Sequence, residues 1–388
     1  MQRRLAALAL SLLTLAACTD APTAATSTDT SPIQASVLEL HHSTTPTSAV
    51  RWNRKGIAFF KARGGNAGRI NAYLSIAQYR AVLAARRART RDAHPSLAGA
   101  AAGASVVVLK QFYPLDASAI DAELQAQRAT PGGDDDDDDL AAFDAGVAIG
   151  RDVGAATLVY AQGDNFGATN PGAPPVGAGY WFSNGNPTAR GGLGARPFFL
   201  RSQSELRAGP PPAFGSSAYL AALAEVKSIA LARTPEQVAI VLKWVPFSGV
   251  LFNGIAADLI DKHHSSEFEA AAIFAYSNAA AYDAIIGCFD TKFTYWFIRP
   301  TQADPSITLA TGLPNHPSYP SAHSCETGAW QGILSIAFPR ERATVSATAD
   351  EASISRVYGG LHYRFDGEAG LNIGRQAALL AVVRRGLE

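Results

Sequence analysis

The sequence predicts an all-α protein, and three observations support that fold class. Alanine-rich stretches with apolar residues at the helical period of about 3.6 recur from residue 51 to residue 386. Alternating apolar and polar runs, which are typical of strands, are absent from the sequence. The longest break in the helical pattern is residues 163–212, where glycine, proline and asparagine are dense. We therefore expect helices on both sides of one long irregular connection.

The helical pattern forms two sets, one on each side of that connection. Before it, periodic stretches predict helices at residues 51–63, 67–88, 95–112, 116–128 and 139–161. After it, they predict helices at residues 216–231, 234–243, 250–262, 266–290, 321–337, 345–357 and 365–386. We expect one helical domain, residues 50–388, made of N-terminal helices (50–162), the connection (163–212) and a core bundle (213–388). A connection of this length is expected to line a functional cleft or to join the two helical sets.

The N-terminus has the features of a bacterial lipoprotein leader. Arg3 and Arg4 precede an apolar run from Leu5 to Leu15, and Leu15-Ala16-Ala17-Cys18 matches a lipobox. A transmembrane anchor is the alternative, but the run is too short for ~30 Å of hydrocarbon. We expect residues 1–17 to be removed as a signal peptide and Cys18 to carry the lipid.

The lipidated cysteine is expected to begin a flexible tether, residues 18–49, rich in threonine, serine, alanine and proline. No later stretch is apolar for long enough to cross a bilayer on this interpretation. The predicted protein is exported and membrane-anchored through Cys18 alone, in the periplasm or at the cell surface. Its 33 basic and 33 acidic residues balance, which gives no indication of a nucleic-acid partner.

Three short segments supply three cations, two histidines, a hydroxyl and a carboxylate: Lys292-x6-Arg299-Pro300, Pro320-Ser321-Ala322-His323, and Ser355-Arg356-x5-His362-x3-Asp366. Arginine offers forked donors to a tetrahedral anion, and lysine offers a point charge. One histidine can then bond the central atom while the other moves protons. These residue types predict a site for a tetrahedral oxyanion.

The ordered triplet resembles the signature of the type 2 phosphatidic acid phosphatase and vanadium-dependent haloperoxidase superfamily. That signature runs K-x6-RP, PSGH and SR-x5-H-x3-D, and here 19 residues separate Pro300 from Pro320 and 31 separate His323 from Ser355. The similarity extends over residues 196–388 and is closest to bacterial vanadium-haloperoxidase-like lipoproteins. It implies a helical bundle of the vanadium haloperoxidase and acid phosphatase type, with additional N-terminal helices.

The resemblance implies an anion-binding role for five residues. Lys292, Arg299 and Arg356 would hold the equatorial oxygens of the anion. Ser321 would donate its hydroxyl, and the backbone N–H of Ala322 would complete the cradle. Alanine stands where the family has glycine, so easy access to positive φ is lost at this contact.

The catalytic roles also follow from the resemblance. His362 would be the nucleophile of a phosphatase or the vanadium ligand of a haloperoxidase, and His323 would be the acid–base residue opposite it. Asp366, four residues after His362 and on the same helical face if both are helical, could fix its tautomer.

Two chemistries fit these residues, and the haloperoxidase is preferred. It implies vanadate as cofactor, with hydrogen peroxide and halide as substrates and hypohalous acid as product. His316, seven residues before His323, resembles the extra active-site histidine of algal bromoperoxidases, and its protonation at mildly acidic pH would change halide affinity. The alternative is an acid phosphatase that hydrolyses phosphate monoesters through a phosphohistidine, without a cofactor. A phosphate-binding lipoprotein is a third hypothesis, but binding alone would not require two histidines and an orienting carboxylate.

Two further features are interpreted from the residues alone. Cys288 lies one turn before Lys292, and Cys325 lies two residues after His323, so a site that unites the motifs predicts a Cys288–Cys325 disulfide in an oxidising compartment. The six aspartates at positions 134–139 are interpreted as a solvated charge run at a helix start and not as a calcium site.

Overall fold

The computed structural model describes residues 46–130, 140–167, 169–183, 191–246 and 248–387. Within these ranges the chain forms thirteen α-helices, three short 3-10 turns and one isolated β-bridge between Tyr180 and Phe297, with no strand. The all-α prediction is confirmed. The predicted leader, Cys18, the tether up to residue 45 and the aspartates at 134–139 lie outside the described residues.

Five helices form the N-terminal set: α1 (Ser48–Arg63), α2 (Ala67–Ala88), α3 (Leu97–Phe112), α4 (Ala117–Ala129) and α5 (Leu140–Gln162). Glycine and alanine dominate the contact between α3 and α5, so the two backbones lie in direct contact. A Cβ added at Gly103 would lie 2.3 Å from the carbonyl oxygen of Val147, and one at Gly150 would lie 2.1 Å from that of Ala100. This pair of helices therefore depends on the absence of side chains at the crossing.

Eight helices follow the connection: α6 (Ser217–Leu231), α7 (Pro235–Lys243), α8 (Ser248–Lys262), α9 (Glu267–Tyr295), α10 (Pro300–Ala303), α11 (Ala322–Ala337), α12 (Arg342–Tyr358) and α13 (Arg364–Arg384). Ser266 begins α9 with a capping box, in which its hydroxyl accepts the N–H of Glu269. α11 packs against α13 at Gly328 and Gly374, where a side chain would overlap the facing backbone. The start of α11 and the start of α13 are thereby held side by side.

The helix α9 forms the core of the bundle, and 23 of its 29 residues are buried. By length and composition alone, α9 could also cross a membrane. The same is true of α7 and α8 if the two are taken together as one span bent by 82°. The expectation that no such stretch follows the leader is therefore wrong on composition. The most apolar window of α9 is 100% buried inside the protein. A helix that is apolar all round is also what a protein core requires.

Two buried carboxylates of α9 accept backbone hydrogen bonds from the irregular connection and from the start of α1. Asp283 accepts the backbone N–H groups of Phe198, Phe199 and Leu200 at 2.8, 2.7 and 3.2 Å, which fixes the irregular connection. Burial raises the pKa of Asp283 to about 7. Glu267 accepts two N–H groups at the start of α1, at 2.6 and 2.8 Å. Both contacts satisfy backbone donors that helix and loop geometry leave unpaired.

Candidate active site

Two of the three sequence motifs line one cavity of about 580 Å³, and Lys292 and Arg299 of the third motif are buried beside it. Five predicted site residues line it: His316, Ala322, His323, Arg356 and His362. The other four predicted site residues are buried beside or beneath the cavity and do not line it. The lining also includes glycines of the irregular connection, as expected for a connection beside a functional cleft.

The orientation of His362 is set by Asp366. The carboxylate oxygen Oδ2 of Asp366 accepts the Nδ1–H of His362 at 2.8 Å, the hydroxyl of Ser318 at 2.6 Å and the N–H of Tyr363 at 3.2 Å. The predicted contact between the two residues is confirmed, but its geometry differs from the prediction. His362 precedes α13, which begins at Arg364, so Asp366 reaches back from the first helical turn and does not share a helix face with it.

His362 is a neutral imidazole with its hydrogen on Nδ1. Its Nε2 lies 2.9 Å from Nη1 of Arg299, and a guanidinium can only donate, so Nε2 carries the lone pair. Burial lowers the pKa of His362 well below its ordinary value, and the charges of Arg299 and Lys292 lower it further. A neutral ring with a basic Nε2 is the form that can bond a central phosphorus or metal atom.

Arg299 is fully buried and connects two histidines. Its Nη2 donates to Nδ1 of His316 at 3.0 Å, its Nε donates to the carbonyl of His316 at 3.0 Å, and its Nη1 also donates to the carbonyl of Leu361 at 2.9 Å. Burial lowers the pKa of this guanidinium to about 10, so it stays charged. The segments before His316 and His362 are therefore held by one cation.

Lys292 has partners that differ from the predicted ones. Its ammonium group donates to the carbonyls of Pro317 at 2.8 Å, Ser318 at 2.9 Å and Pro320. The ammonium has three hydrogens, and three carbonyls accept them. The predicted contact of Lys292 with the equatorial oxygens of an anion stays a prediction. Because Lys292 is 0% exposed on the core helix α9, its charge needs these buried acceptors, and burial lowers its pKa to about 8.

The N-terminus of α11 faces the cavity at Ala322. Ser321 is the N-cap residue, and its hydroxyl accepts the N–H of Ser324 at 3.4 Å. Ala322 is the first helical residue and does not have a positive φ. The loss of glycine at this position therefore creates no backbone strain. The positive end of the helix dipole and the first-turn N–H groups make this end of the cavity favourable for an anion.

His323 also lines the cavity, and its Nε2 lies 3.1 Å from the carbonyl of Trp244. Burial lowers the pKa of His323 to about 3, and the charge of Arg356 lowers it further. Arg356 donates through Nε to the hydroxyl of Ser355 at 2.9 Å and through Nη2 to the carbonyl of Val241 at 3.2 Å. It is the one charged residue among the described residues that line the cavity.

Two supporting groups near these histidines were missed by the sequence analysis. The hydroxyl of Ser318 donates to Asp366. Ser318 is two residues after His316, so its position close to a predicted site residue could have identified it. Glu326 lies one turn after His323 and is 1% exposed; it accepts the hydroxyl of Ser248 and the N–H of Gly249, the latter at 2.8 Å. It thus fixes the start of α8 beside the segment whose carbonyl contacts His323. Nothing local in the sequence distinguishes this glutamate from a surface residue.

His316 is buried at the wall of the cavity. Burial together with the charges of Lys292 and Arg299 lowers its pKa well below the ordinary value, which favours the neutral ring. The predicted protonation of His316 during halide oxidation stays a prediction. The ring stands edge-on to Phe289, with centroids 5.2 Å apart, at the wall of the cavity.

A comparison with family models matches residues 270–386 to the PAP2 superfamily. The segment contains all three motifs and every site residue that the motifs predicted. Residues 270–386 are a PAP2 superfamily domain. The superfamily prediction made from the motifs is thereby confirmed for this part of the chain. A comparison with curated proteins gives no match.

Solved structures of bacterial vanadium enzymes share the fold beyond the PAP2 domain. A bacterial vanadium-dependent iodoperoxidase is 22% identical with a TM-score of 0.73, over 89% of this chain and 98% of that one. The apo and holo forms of a bacterial vanadium-dependent chloroperoxidase are 15% and 16% identical, with TM-scores of 0.61 and 0.62. Both comparisons cover 82% of this chain, and 93% and 91% of the chloroperoxidase. The N-terminal helices are therefore part of a fold that those proteins share.

The donors of the PAP2 domain fit a tetrahedral oxyanion such as phosphate or vanadate. Arg356, the start of α11 and Nε2 of His362 border the cavity, and the charges of Lys292 and Arg299 lie directly beneath. No carboxylate lines the cavity in the part of the chain that the structure describes. The site therefore carries net positive charge, which matches either anion, and Nε2 of His362 accepts a hydrogen bond from Arg299 in this structure.

The two cysteines of the PAP2 domain are neighbours, but both are free thiols. The Cys325 thiol is hydrogen-bonded to Cys288, and the Cys288 thiol points to the carbonyl of Pro320 at 3.9 Å. The predicted disulfide is thus not formed in this structure. Burial raises the pKa of Cys325 well above its ordinary value, which disfavours the thiolate that oxidation requires.

Proposed function

We propose that this chain is a vanadium-dependent haloperoxidase-like enzyme that uses hydrogen peroxide to oxidise halide. The observation that supports this most strongly is the pairing of two cavity histidines through one guanidinium. Arg299 donates to Nε2 of His362 and to Nδ1 of His316. A phosphatase needs His362 and His323 as its catalytic pair, so an additional neutral histidine in the wall favours a reaction with a further small substrate.

The residues have separate roles in this proposal. When bound, vanadate would supply a Lewis-acidic centre that activates peroxide. His362 offers the Nε2 lone pair because Asp366 keeps the hydrogen on Nδ1. Arg356 and the start of α11 balance the charge of the anion, while Lys292 holds the loop that precedes α11 in place through its three carbonyls.

His323 would move the proton. The overall reaction, in which halide and hydrogen peroxide give hypohalous acid and water, consumes one proton, so a group at the cavity must deliver it. With its pKa at about 3, His323 holds little proton by itself at neutral pH. A bound anion close to the ring would favour the imidazolium form and raise that pKa. The proton would thus be available when the anion is in place.

The alternative function is hydrolysis of phosphate monoesters, and a specific observation supports it. The family match is to the PAP2 superfamily, and His362 and His323 line the same cavity. In this reaction Nε2 of His362 would attack phosphorus and expel the alcohol oxygen, which His323 would protonate. Water would then cleave the phosphohistidine and regenerate the neutral ring.

The test compares both activities in one preparation. The protein is freed of phosphate, then supplied with orthovanadate and assayed for peroxide-dependent oxidation of iodide and bromide. A parallel sample without vanadate is assayed with p-nitrophenyl phosphate. Vanadate-dependent halide oxidation supports the proposal, and phosphate-ester hydrolysis without any halide oxidation from pH 5 to 8 supports the alternative. Phosphate or vanadate binding without either activity would indicate the non-enzymatic hypothesis.

Two variants connect the activity to the site. His362→Ala should abolish turnover in either chemistry, because it removes the nitrogen that bonds the central atom. His323→Ala should retain anion binding while turnover falls by about 10²- to 10⁴-fold, the usual contribution of general acid–base catalysis. His94→Ala, at an exposed histidine, is the matched control and should behave as the native protein does. Full activity of either site variant would contradict the assigned roles.

We also propose the predicted location: an exported lipoprotein held at the membrane by Cys18, with peroxide and halide, or a phosphate ester, reaching the site from outside the cytoplasm. Mass spectrometry of the N-terminal peptide tests it. Lipid on Cys18, together with loss of membrane association in Cys18→Ala, is the expected result. An intact leader in the mature protein would contradict it.

A further inference from the structure

Glu326 is a buried acid that has no direct part in either candidate reaction. It is 1% exposed and lies on α11 one turn after His323, on the same face of that helix. Its Oε2 accepts the hydroxyl of Ser248 and, at 2.8 Å, the N–H of Gly249. These two residues belong to the first turn of α8, where N–H groups have no partner inside the helix. Glu326 thus holds the start of α8 against the helix that carries His323.

The first turn of α8 is also held from α9. The carbonyl of Gly249 accepts the side-chain N–H of Asn253 at 2.7 Å, and Asn253 exchanges two hydrogen bonds with Asn278 of α9, at 3.0 and 3.1 Å. Both asparagines are buried. A Cβ at Gly249 would overlap the carboxyl group of Glu326, so a side chain has no room there. The position of this turn is therefore fixed by α9 and α11 together.

The segment that leads into α8 supplies hydrogen-bond acceptors to the His323 ring. Nε2 of His323 lies 3.1 Å from the carbonyl of Trp244, and the carbonyl of Pro246 is a second acceptor. Trp244 is fixed on the α7 side, because its side chain is fully buried and its Nε1 donates to Glu351 at 2.8 Å. Carbonyls only accept hydrogen bonds, so their positions decide where the ring hydrogen points. On the α8 side, the contacts with Glu326 hold this segment.

We propose that Glu326 is a positioning residue for His323, which it orients by holding the segment whose carbonyls accept the hydrogen of the imidazole. This proposal rests on the proposed role of His323 as the group that moves the proton, a role that both candidate chemistries share. Glu326 does not line the cavity, so it acts without touching the anion. Its loss should let the segment shift, so that His323 loses its orientation while the anion-binding groups stay in place.

The experiment compares two buried carboxylates that hold the first turn of a helix, each changed in the full-length protein. Glu326→Leu removes the acceptor near His323. Glu267→Leu removes a similar acceptor, which binds two N–H groups at the start of α1 at 2.6 and 2.8 Å. Glu267 is the first residue of α9 and, at about 1.5 Å per residue, lies ~38 Å from Lys292. Both variants should lower the free energy of unfolding, because each leaves buried N–H groups without a partner.

The first readout is the kcat of whichever reaction the native protein catalyses, halide oxidation with bound vanadate or phosphate-ester hydrolysis. Glu326→Leu should lower kcat by about tenfold or more, the usual effect of losing a group that orients a reacting residue, with vanadate affinity unchanged. Glu326→Gln keeps an acceptor oxygen and should restore most of kcat. Glu267→Leu should keep the native kcat. Glu326→Leu added to His323→Ala should cause no further loss, because it acts through His323.

The second readout observes the His323 ring without turnover. The chain has eight histidines, which are labelled selectively with ¹⁵N, and the ring signals of His323 are those lost in His323→Ala. Glu326→Leu should shift these signals, whereas Glu267→Leu and Glu326→Gln should leave them close to their native positions. This comparison does not depend on activity. A native protein without either activity would therefore count against the proposed function and leave the positioning role to be decided by the ring signals.

Three results would overturn the proposal. One is a native kcat in Glu326→Leu. Another is an equal fall of kcat in Glu326→Leu and Glu267→Leu, which would indicate a loss of stability and not of orientation. The third is an unchanged set of His323 ring signals in Glu326→Leu. Thermal melts identify a variant that has failed to fold. If Glu326→Leu does not fold, Gly249→Ala takes its place, because the added Cβ displaces the Glu326 carboxyl group and the same changes are expected.

Discussion

At the scale of single residues, the site depends on which partner each polar atom has. One oxygen of Asp366 decides the tautomer of His362, whereas Nδ1 of His316 lies between a donor, Arg299 at 3.0 Å, and an acceptor, the carbonyl of Pro317 at 3.1 Å. Lys292 supports a loop through three carbonyls. The chemistry available to the site thus follows from hydrogen bonds as much as from the identity of the catalytic residues.

Replacing Asp366 with asparagine should impair the site although the shape of the side chain is kept. The amide can donate to Nδ1 of His362, which would move the ring hydrogen to Nε2 and remove the lone pair. Loss of such a supporting group typically costs about 10- to 100-fold in ligand affinity or activity. Vanadate or phosphate affinity and turnover should both be measured. Asp350→Asn, at an exposed carboxylate, is the control, and equal behaviour of the two variants would refute the assigned role.

Replacing His316 with alanine discriminates between the two chemistries. If the enzyme is a haloperoxidase, the Michaelis constant for bromide or iodide should change, while vanadate affinity survives through Arg299, Arg356 and His362. A phosphatase should be indifferent to this change. Good phosphate-ester hydrolysis, no halide oxidation from pH 5 to 8 and no effect of His316→Ala would together exclude the haloperoxidase proposal.

At the scale of helices, glycine decides how closely elements approach. α3 and α5 cross at glycines, and the backbone of the facing helix occupies the space that a side chain would need. At Gly254 on α8, in contrast, an added Cβ would meet nothing within 4 Å. Glycine lowers helix stability where no contact requires it. The same residue type is therefore essential at one crossing and dispensable at another.

Alanine substitution should have opposite effects at these two positions. Gly150→Ala must place a Cβ 2.1 Å from the carbonyl of Ala100, so it should lower the free energy of unfolding by about 1–3 kcal/mol. Gly254→Ala should raise it by about 0.5–1 kcal/mol through helix propensity alone. Urea denaturation of both variants measures the two changes. Changes of the same sign would contradict the helix packing described above.

At the scale of the whole molecule, buried acids make stability depend on pH. Burial raises the pKa of Asp283 to about 7, of Glu326 to about 8 and of Asp366 to about 6. A carboxyl with a raised pKa binds a proton more tightly in the folded state. Its contribution to stability is complete below the pKa of the unfolded chain and is lost as the pH rises through the folded value.

Glu326→Gln should reveal this effect, because glutamine cannot ionise. The stability of the variant relative to the native protein should increase from about pH 4.5 to about pH 8, by an amount on the order of a few kcal/mol. Urea denaturation at several pH values measures the difference. Glu341, a partly buried carboxylate whose pKa is lowered by Lys262 and His263, should show the opposite trend when changed to glutamine. A difference between Glu326→Gln and the native protein that does not vary with pH would contradict the buried, proton-binding state of Glu326.

Local sequence was sufficient to predict the fold class, most helix positions and the superfamily. α2 spans the predicted residues 67–88, because a period of 3.6 is a local property of the chain. α9, however, continues to Tyr295 beyond the predicted residue 290, and the short α10 was not predicted. Packing at the core, and not periodicity, sets these ends. The motifs were recognisable for a similar reason, since each is a short run with fixed spacing.

The contacts of those residues, in contrast, depended on the tertiary structure. It placed Lys292 on three carbonyls, buried His316 beside Arg299 and left Cys288 and Cys325 as thiols. It also supplied the buried Glu326, for which the local sequence gave no signal. Each of these facts depends on distances between segments far apart in the chain. Local patterns of side chains determine helices, whereas burial and the choice of hydrogen-bond partner are determined by how the helices pack.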